Sequence, residues 1–321
     1  MWTILVACVE PGSPAGEFET GGEAPHASVA YASVPGRPAG PLGLPALHDV
    51  DVVYIHVDTL RRDHVGPFGY QRQTLSFLDA SRWILVDGLT TAGSATLPST
   101  AALFSGAPPW INGVRRTEAA PGATRLLVPS VAELAVGAGW DAQVITGNNF
   151  LSTAGNLAGG FTRRVDVAKD TTTPNLLAMV DEFEAILTEN EGQRLFVHLQ
   201  PMDMHAPYWV APVDRGAFLS GPAPCDLDEP DPGVQDAQIE TALAERPVEA
   251  TAALNAVYDE QMLGLERGVL GILGVLEATG RLERTLVVFS ADHGETLNDG
   301  ADGGFGHGDT LRPEQVGVPL A

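Results

Sequence analysis

Val52-Val53-Tyr54-Ile55-His56-Val57-Asp58-Thr59 is a run of β-branched and apolar residues that ends abruptly in a carboxylate. Leu286-Val287-Val288-Phe289-Ser290-Ala291-Asp292-His293-Gly294-Glu295 repeats the pattern far downstream. A strand buried on both faces of a parallel sheet reads in this way, and chemistry collects at its carboxyl end. The two tips are therefore expected to meet at one site. Asp58, Asp292 and His293 offer it hard-to-borderline ligands suited to a divalent metal. The alternative reading leaves Asp58 and Asp292 as caps of the turns that follow.

The chain has 321 residues, 44% hydrophobic and 18% charged, enough for a substantial core in one large domain or two small ones. Its 18 basic and 41 acidic residues give a formal charge of −23, and Lys169 is the only lysine. Such a field disfavours nucleic acid and anionic membranes as partners. An anionic substrate would then need a local cationic device, which a metal ion supplies. Cys8 and Cys225 have no zinc-ligand spacing and suggest no disulfide framework.

The opening Met1-Trp2-Thr3-Ile4-Leu5-Val6-Ala7-Cys8 ends like the cleavage box of a bacterial lipoprotein, although the apolar run is short and lacks a basic start. A lipid anchor and an extracytoplasmic, periplasmic location are expectations on that ground, with a cytoplasmic one as the alternative. No segment reaches the ~20 apolar residues of a membrane span. Residues 1–47 read as a lead-in and linker rich in Pro, Gly and Ala, and 48–321 as the main globular domain. Within that domain, strands are expected near 51–57, 140–145, 195–199 and 285–291. Helices are expected near 128–136, 175–188 and 250–279, with another starting near Pro98. Residues 211–248, rich in Pro and acids, read as a mobile surface insertion. Strands alternating with helices predict an α/β fold with a largely parallel sheet.

Four ordered stretches resemble the sulfatase family, within the alkaline-phosphatase-like superfamily. The first runs from Asp58-Thr59-Leu60-Arg61-Arg62-Asp63-His64 through Gly69-Tyr70 to Leu78-Asp79. His198-Leu199-Gln200-Pro201-Met202-Asp203-Met204-His205-Ala206-Pro207-Tyr208 is the second, and Asp292-His293-Gly294-Glu295 the third. Gly306-His307-Gly308 with Glu314 to Leu320 completes the order. The resemblance implies a three-layer sandwich around the sheet. It also implies one tightly bound divalent ion (Zn, Mn, Mg or Ca) held by Asp58, Asp292 and His293, with Thr96 completing or approaching its shell.

Thr96, in Ser94-Ala95-Thr96-Leu97-Pro98-Ser99-Thr100, stands where formylglycine sulfatases carry the residue that is oxidised, and Thr100 replaces their arginine. Threonine is no substrate for that oxidation, so formylglycine chemistry is not expected. Phosphodiesterase-like and phosphonate-cleaving relatives use threonine at this place. Thr96 is thus read as the nucleophile, with a helix N-cap geometry assumed. Thr59 departs from the second aspartate of formylglycine sulfatases, which tilts the expectation toward a transition metal. His205 is read as contacting the anion or protonating the leaving oxygen. The resemblance makes His307 a substrate-binding residue, or a ligand of a second metal with His205 or Asp203; Asp203 otherwise orients His205. His56 and His198 are read as core or outer-shell residues, Arg61 and Arg62 as site charges or surface ion pairs.

These readings predict a metal-dependent hydrolase of phosphate, phosphonate or sulfate esters acting on small-molecule, glycan or lipid anionic substrates. Two rivals stand beside it: a silent binding domain, and a phospho-headgroup transferase of the same superfamily. The family pattern continues beyond Val318-Pro319-Leu320-Ala321. A truncated C-terminal part with an exposed sheet edge is the corresponding expectation.

Overall fold

The computed structural model describes residues 49–115, 126–151, 157–168, 173–300 and 303–321. The lead-in, with Cys8 and the lipoprotein-like start, lies outside them, as does Lys169. In chain order the elements are β1 (Asp51–Val57), α1 (Thr96–Ser105), α2 (Pro109–Asn112), α3 (Val131–Gly137), β2 (Asp141–Thr146), β3 (Arg163–Asp166), α4 (Asn175–Ala178), α5 (Val180–Glu189), β4 (Leu195–Gln200), α6 (Pro232–Glu245), α7 (Pro247–Ala278), β5 (Thr285–Ala291), β6 (Thr296–Leu297), β7 (Phe305–Gly306) and α8 (Pro313–Val316).

Five strands form one parallel sheet in the order β3-β2-β4-β1-β5, and β6 and β7 pair as a small antiparallel ribbon. Alternation along β1 divides the core. Val53, Ile55 and Val57 join the cluster that includes Leu176, Phe183, Leu265 and Val269 of α4, α5 and α7. Val52 points to the other face, with Ala132 of α3, Ala142 and Phe196. Leu97, Ala101 and Phe104 of α1 pack over Val144 of β2 on that side. Because both faces are covered, β1 is buried along its whole length, as its unbroken apolar run requires.

Local chemistry sets the boundaries. A reciprocal capping box between Ser130 and Glu133 starts α3 at Val131, later than the apolar pattern suggested. The region expected as one helix at 175–188 is two: the Met179 N–H bonds to the Leu176 carbonyl in a tighter turn before α5 begins. Pro247 opens α7, and Gly280, at φ +67°, follows its end. The 211–248 stretch is not featureless. It holds α6, capped by Asp231, with Gln235, Ile239 and Ala242 buried.

At about 48 Å, α7 ties the loops together with consecutive buried polar residues. The Tyr258 hydroxyl donates to the Thr59 carbonyl at 2.6 Å and accepts from the Arg61 N–H at 2.9 Å. Asp259 holds His64, Tyr70 and Arg72, and Glu260 accepts from the Phe218 and Leu219 N–H groups. At the outer strand, Phe289 and Ala321 exchange two backbone hydrogen bonds of 2.9 Å, and Leu320 bridges Ser290. Close to its tip, the β5 edge expected to be open is paired by residues 320–321.

Candidate active site

Parallel register assembles the site. Val57 is opposite Ala291, so Asp58 and Asp292 emerge side by side from β1 and β5. Thr146 is opposite Gln200, which places the residues after β2 and the end of β4 in the same row. Thr59 then turns sharply at φ +56°, a conformation costly for a residue with a Cβ. In this position its N–H donates to Asp292 Oδ1 at 3.2 Å. The site where formylglycine sulfatases carry a second aspartate thus contributes a backbone donor here.

The structure brings Asp58, Asp292 and His293 together as sequence reasoning expected: one ligand atom from each lies within 4.8 Å of the others, and all three side chains are buried. His293 Nδ1 is 2.9 Å from the Gly294 carbonyl, which places its proton there and leaves the Nε2 lone pair facing the acids. Burial, with His307 nearby, pushes its pKa down to about 3, so the ring is neutral. Nε2 is 3.6 Å from Asp58 Oδ1 and 3.7 Å from Asp292 Oδ1. Burial and the Asp58 charge push the Asp292 carboxyl well above its ordinary range. For Asp58 burial opposes ionisation, but His205, His293, His307 and the Asn148 amide bring it below.

Asp58 Oδ1 is buried without a hydrogen-bond partner. Two buried carboxylates, one orphaned oxygen and an imidazole lone pair aimed between them fit a divalent cation. The donor set is compatible with zinc, manganese, magnesium or calcium.

Thr96 is the first residue of α1, and its N-cap is Ala95, so the expected capping role of Thr96 is not the observed one. Its hydroxyl points into the acidic cluster instead, 3.3 Å from Asp58 Oδ2 and 3.3 Å from His293 Nε2. Ala95 at the cap has no side chain that could hydrogen-bond the first turn. Thr100 is fully buried one turn on, and its hydroxyl oxygen has no hydrogen-bond partner.

The remaining expected residues form a wall. The His205 and His307 ring centroids are 5.1 Å apart, and those of His293 and His307 are 4.4 Å apart. Glu295 lies 3.1 Å from His307 Nδ1. Although burial opposes it, the Glu295 carboxylate raises the His307 pKa to about 9, leaving a cation at neutral pH. Asp203 Oδ2 accepts the Leu176 N–H at 2.9 Å, an anchoring contact to α4. Arg61 is buried in ion pairs with Asp63 and Asp299, and Arg62 pairs with the exposed Asp87.

Sequence reasoning missed three participants. Asn148 Nδ2 donates to Asp58 Oδ2 at 2.7 Å, Gln200 Nε2 reaches Asp292 Oδ2 at 3.3 Å, and Glu295 charges His307. Asn148 and Gln200 both stand at strand ends. The tip rule applied to β2 and β4 would have found them.

A family model described as Sulfatase matches residues 51–320. The chain belongs to the sulfatase family. This sulfatase-family chain is similar in structure to the phosphonate monoester hydrolase of Agrobacterium radiobacter, with a TM-score of 0.67 and 17% identity over 84% of this chain and 67% of that one. It also resembles the zinc complex of the C-terminal periplasmic domain of EptC from Escherichia coli, with a TM-score of 0.62 and 15% identity, covering 85% and 72% of the two chains. A 2-O GAG sulfatase aligns with a TM-score of 0.60 and 23% identity, and the match spans 85% of this chain and 63% of that one. Curated proteins give no sequence match. The shared feature is the sulfatase-like α/β fold. Among the described residues, no helix is long and apolar enough to cross a membrane.

Proposed function

We propose that the chain is a metal-dependent hydrolase of phosphate, phosphonate or sulfate esters in which Thr96 is the nucleophile. The observation that carries this reading is the Thr96 hydroxyl, 3.3 Å from both Asp58 Oδ2 and His293 Nε2 at the N-terminus of α1. A divalent ion held by Asp58, Asp292 and His293 would supply positive charge that acidifies a hydroxyl and offsets the substrate anion. Asp58 Oδ2 is within reach of the Thr96 proton. Thr96 Oγ1 attacks phosphorus or sulfur, the bond to the leaving oxygen breaks, and His205 provides that oxygen with a proton. The protonated His307 and the α1 N-terminus bind the non-bridging oxygens. Water then cleaves the threonine ester and regenerates the hydroxyl.

The named relatives support an anionic ester as substrate, since a phosphonate monoester hydrolase and a 2-O GAG sulfatase are among them. The periplasmic domain among them supports an extracytoplasmic location. Nothing in the acidic composition favours nucleic acid as a partner.

The test assays the purified chain with Zn²⁺, Mn²⁺, Mg²⁺ and Ca²⁺ on aryl phosphate, phosphodiester, phosphonate and sulfate reporters, with Thr96→Ala in parallel. Turnover that vanishes in Thr96→Ala is the expected result. Equal turnover in both proteins removes Thr96 from the mechanism. Metal binding without turnover on any reporter, with or without an added alcohol acceptor, leaves a silent binding domain, and turnover only with the acceptor makes the protein a transferase.

A further inference from the structure

Beneath the acidic pair, β1 and β4 place three buried polar side chains in contact. Gln200 Oε1 is 2.8 Å from His56 Nδ1 and 3.0 Å from His198 Nε2. The other end of the same amide, Nε2, lies 3.3 Å from Asp292 Oδ2. Gln200, His56, His198 and Asp292 are all buried.

A side-chain amide has one accepting end and one donating end, whereas a carboxylate only accepts. With Asp292 ionised, as a bound cation requires, the amino group faces Asp292, and the carbonyl is left for the imidazoles, where His198 presents an N–H. His198 agrees with this independently. Its Nδ1 has no hydrogen-bond partner and its ring packs against those of Phe104 and Phe161, so its one proton belongs on Nε2, where an acceptor waits. Turning the amide over would set a carbonyl against a carboxylate and amino hydrogens against the His198 N–H. His198 and the Asp292 carboxylate thus favour the same orientation.

Asp292 needs that constraint. Its Oδ1 accepts from the backbone N–H of His293 at 2.7 Å and of Thr59 at 3.2 Å, both fixed by the chain. Its Oδ2 is held from the side chain of Gln200. A methionine or leucine would fill the same space in the sheet without burying polar atoms, so the amide requires a reason beyond packing.

We propose that Gln200 is a positioning residue for the Asp292 carboxylate, oriented by His198 with His56 packed beside it, and that it sets how Asp292 presents its oxygens to a divalent cation. The inference rests on the reading of Asp58, Asp292 and His293 as a metal site. Losing the amide frees the carboxylate to rotate about its Oδ1 anchor and strips a donor from Oδ2.

The test measures Zn²⁺ affinity of the metal-stripped whole chain by competition with a chromophoric chelator, alongside thermal unfolding of each apo protein. Wild type, Gln200→Met, His198→Phe and Asp292→Asn are compared, with Co²⁺ as a spectroscopic probe. The expected result is one zinc in wild type, loss of it in Asp292→Asn, and an affinity about 10- to 100-fold lower in folded Gln200→Met, the usual scale for outer-shell partners of a metal ligand. His198→Phe falls between wild type and Gln200→Met, and the visible Co²⁺ band of Gln200→Met departs from that of wild type. A role confined to packing lowers the melting temperature and leaves zinc affinity and the cobalt band unchanged, which overturns the inference. Should Gln200→Met fail to fold, His198→Phe decides, and wild-type affinity there overturns it. A wild type without zinc affinity removes the metal reading and this inference together. Affinity lost in Asp292→Asn but kept in Gln200→Met overturns the inference alone.

Discussion

The side-chain amide of Asn148 donates to Asp58 Oδ2 at 2.7 Å, joining the end of β2 to the carboxylate that follows β1. Oδ2 is thereby fixed and Oδ1 left unpaired. Under the proposed metal site, that free oxygen is the one offered to a cation.

Asn148→Leu keeps the size and removes the donor. Its metal affinity is expected to fall by about tenfold or more, as for other partners that orient a metal ligand. Isothermal titration of the apo protein with Zn²⁺ measures this. An unchanged affinity would mean that the backbone alone orients Asp58.

Tyr258 couples α7 to the turn beside Asp58. Its buried hydroxyl serves both the Thr59 carbonyl and the Arg61 N–H. Tyr258→Phe leaves both backbone groups buried and unpaired, at a cost of about 2–3 kcal/mol in unfolding free energy. Urea denaturation followed by circular dichroism reads it, and a loss below about 0.5 kcal/mol would show that water reaches the turn.

His64 contributes a pH dependence of its own. Burial draws its pKa down, but Asp259, 2.6 Å from Nδ1, and Asp299 outweigh this and raise it above 6.5. The folded state therefore holds the proton more tightly than the unfolded one. The resulting stability is complete below the unfolded value near 6.5 and is lost as pH rises through the folded pKa. The difference in urea midpoint between wild type and His64→Asn is expected to shrink across that window. A difference that stays flat, or grows with pH, contradicts the assignment.

The two carboxylate-tipped strands were legible because burial on both faces leaves an unmistakable apolar run, and a charge directly after it has few roles. Strand β3 was not legible: Arg163-Arg164-Val165-Asp166 is a polar edge strand, and pairing with β2 is what holds it extended. Helix α6 was hidden in an acidic, Pro-rich composition that resembles loop, although Asp231 followed by Pro232 is a good helix start. Asp58, His205, Asp292, His293 and His307 were singled out through ordered motifs and Thr96 through its own resembling segment, and the fold gathers them. Asn148 and Gln200 were missed because an amide has no motif of its own. Its meaning depends on what lies next to it.

By itself, the sequence determined the α/β class and the placing of two acids and an imidazole at strand tips. Each of these follows from residue type and local order along the chain. Only the tertiary structure decided that Thr96 leaves the cap position to Ala95 and turns toward Asp58, that Glu295 charges His307, and that Gln200 stands between His56, His198 and Asp292. Those outcomes depend on the parallel register of β2, β4, β1 and β5, which aligns residues from distant segments at hydrogen-bond distance. Register is a property of paired strands, and no single strand encodes it.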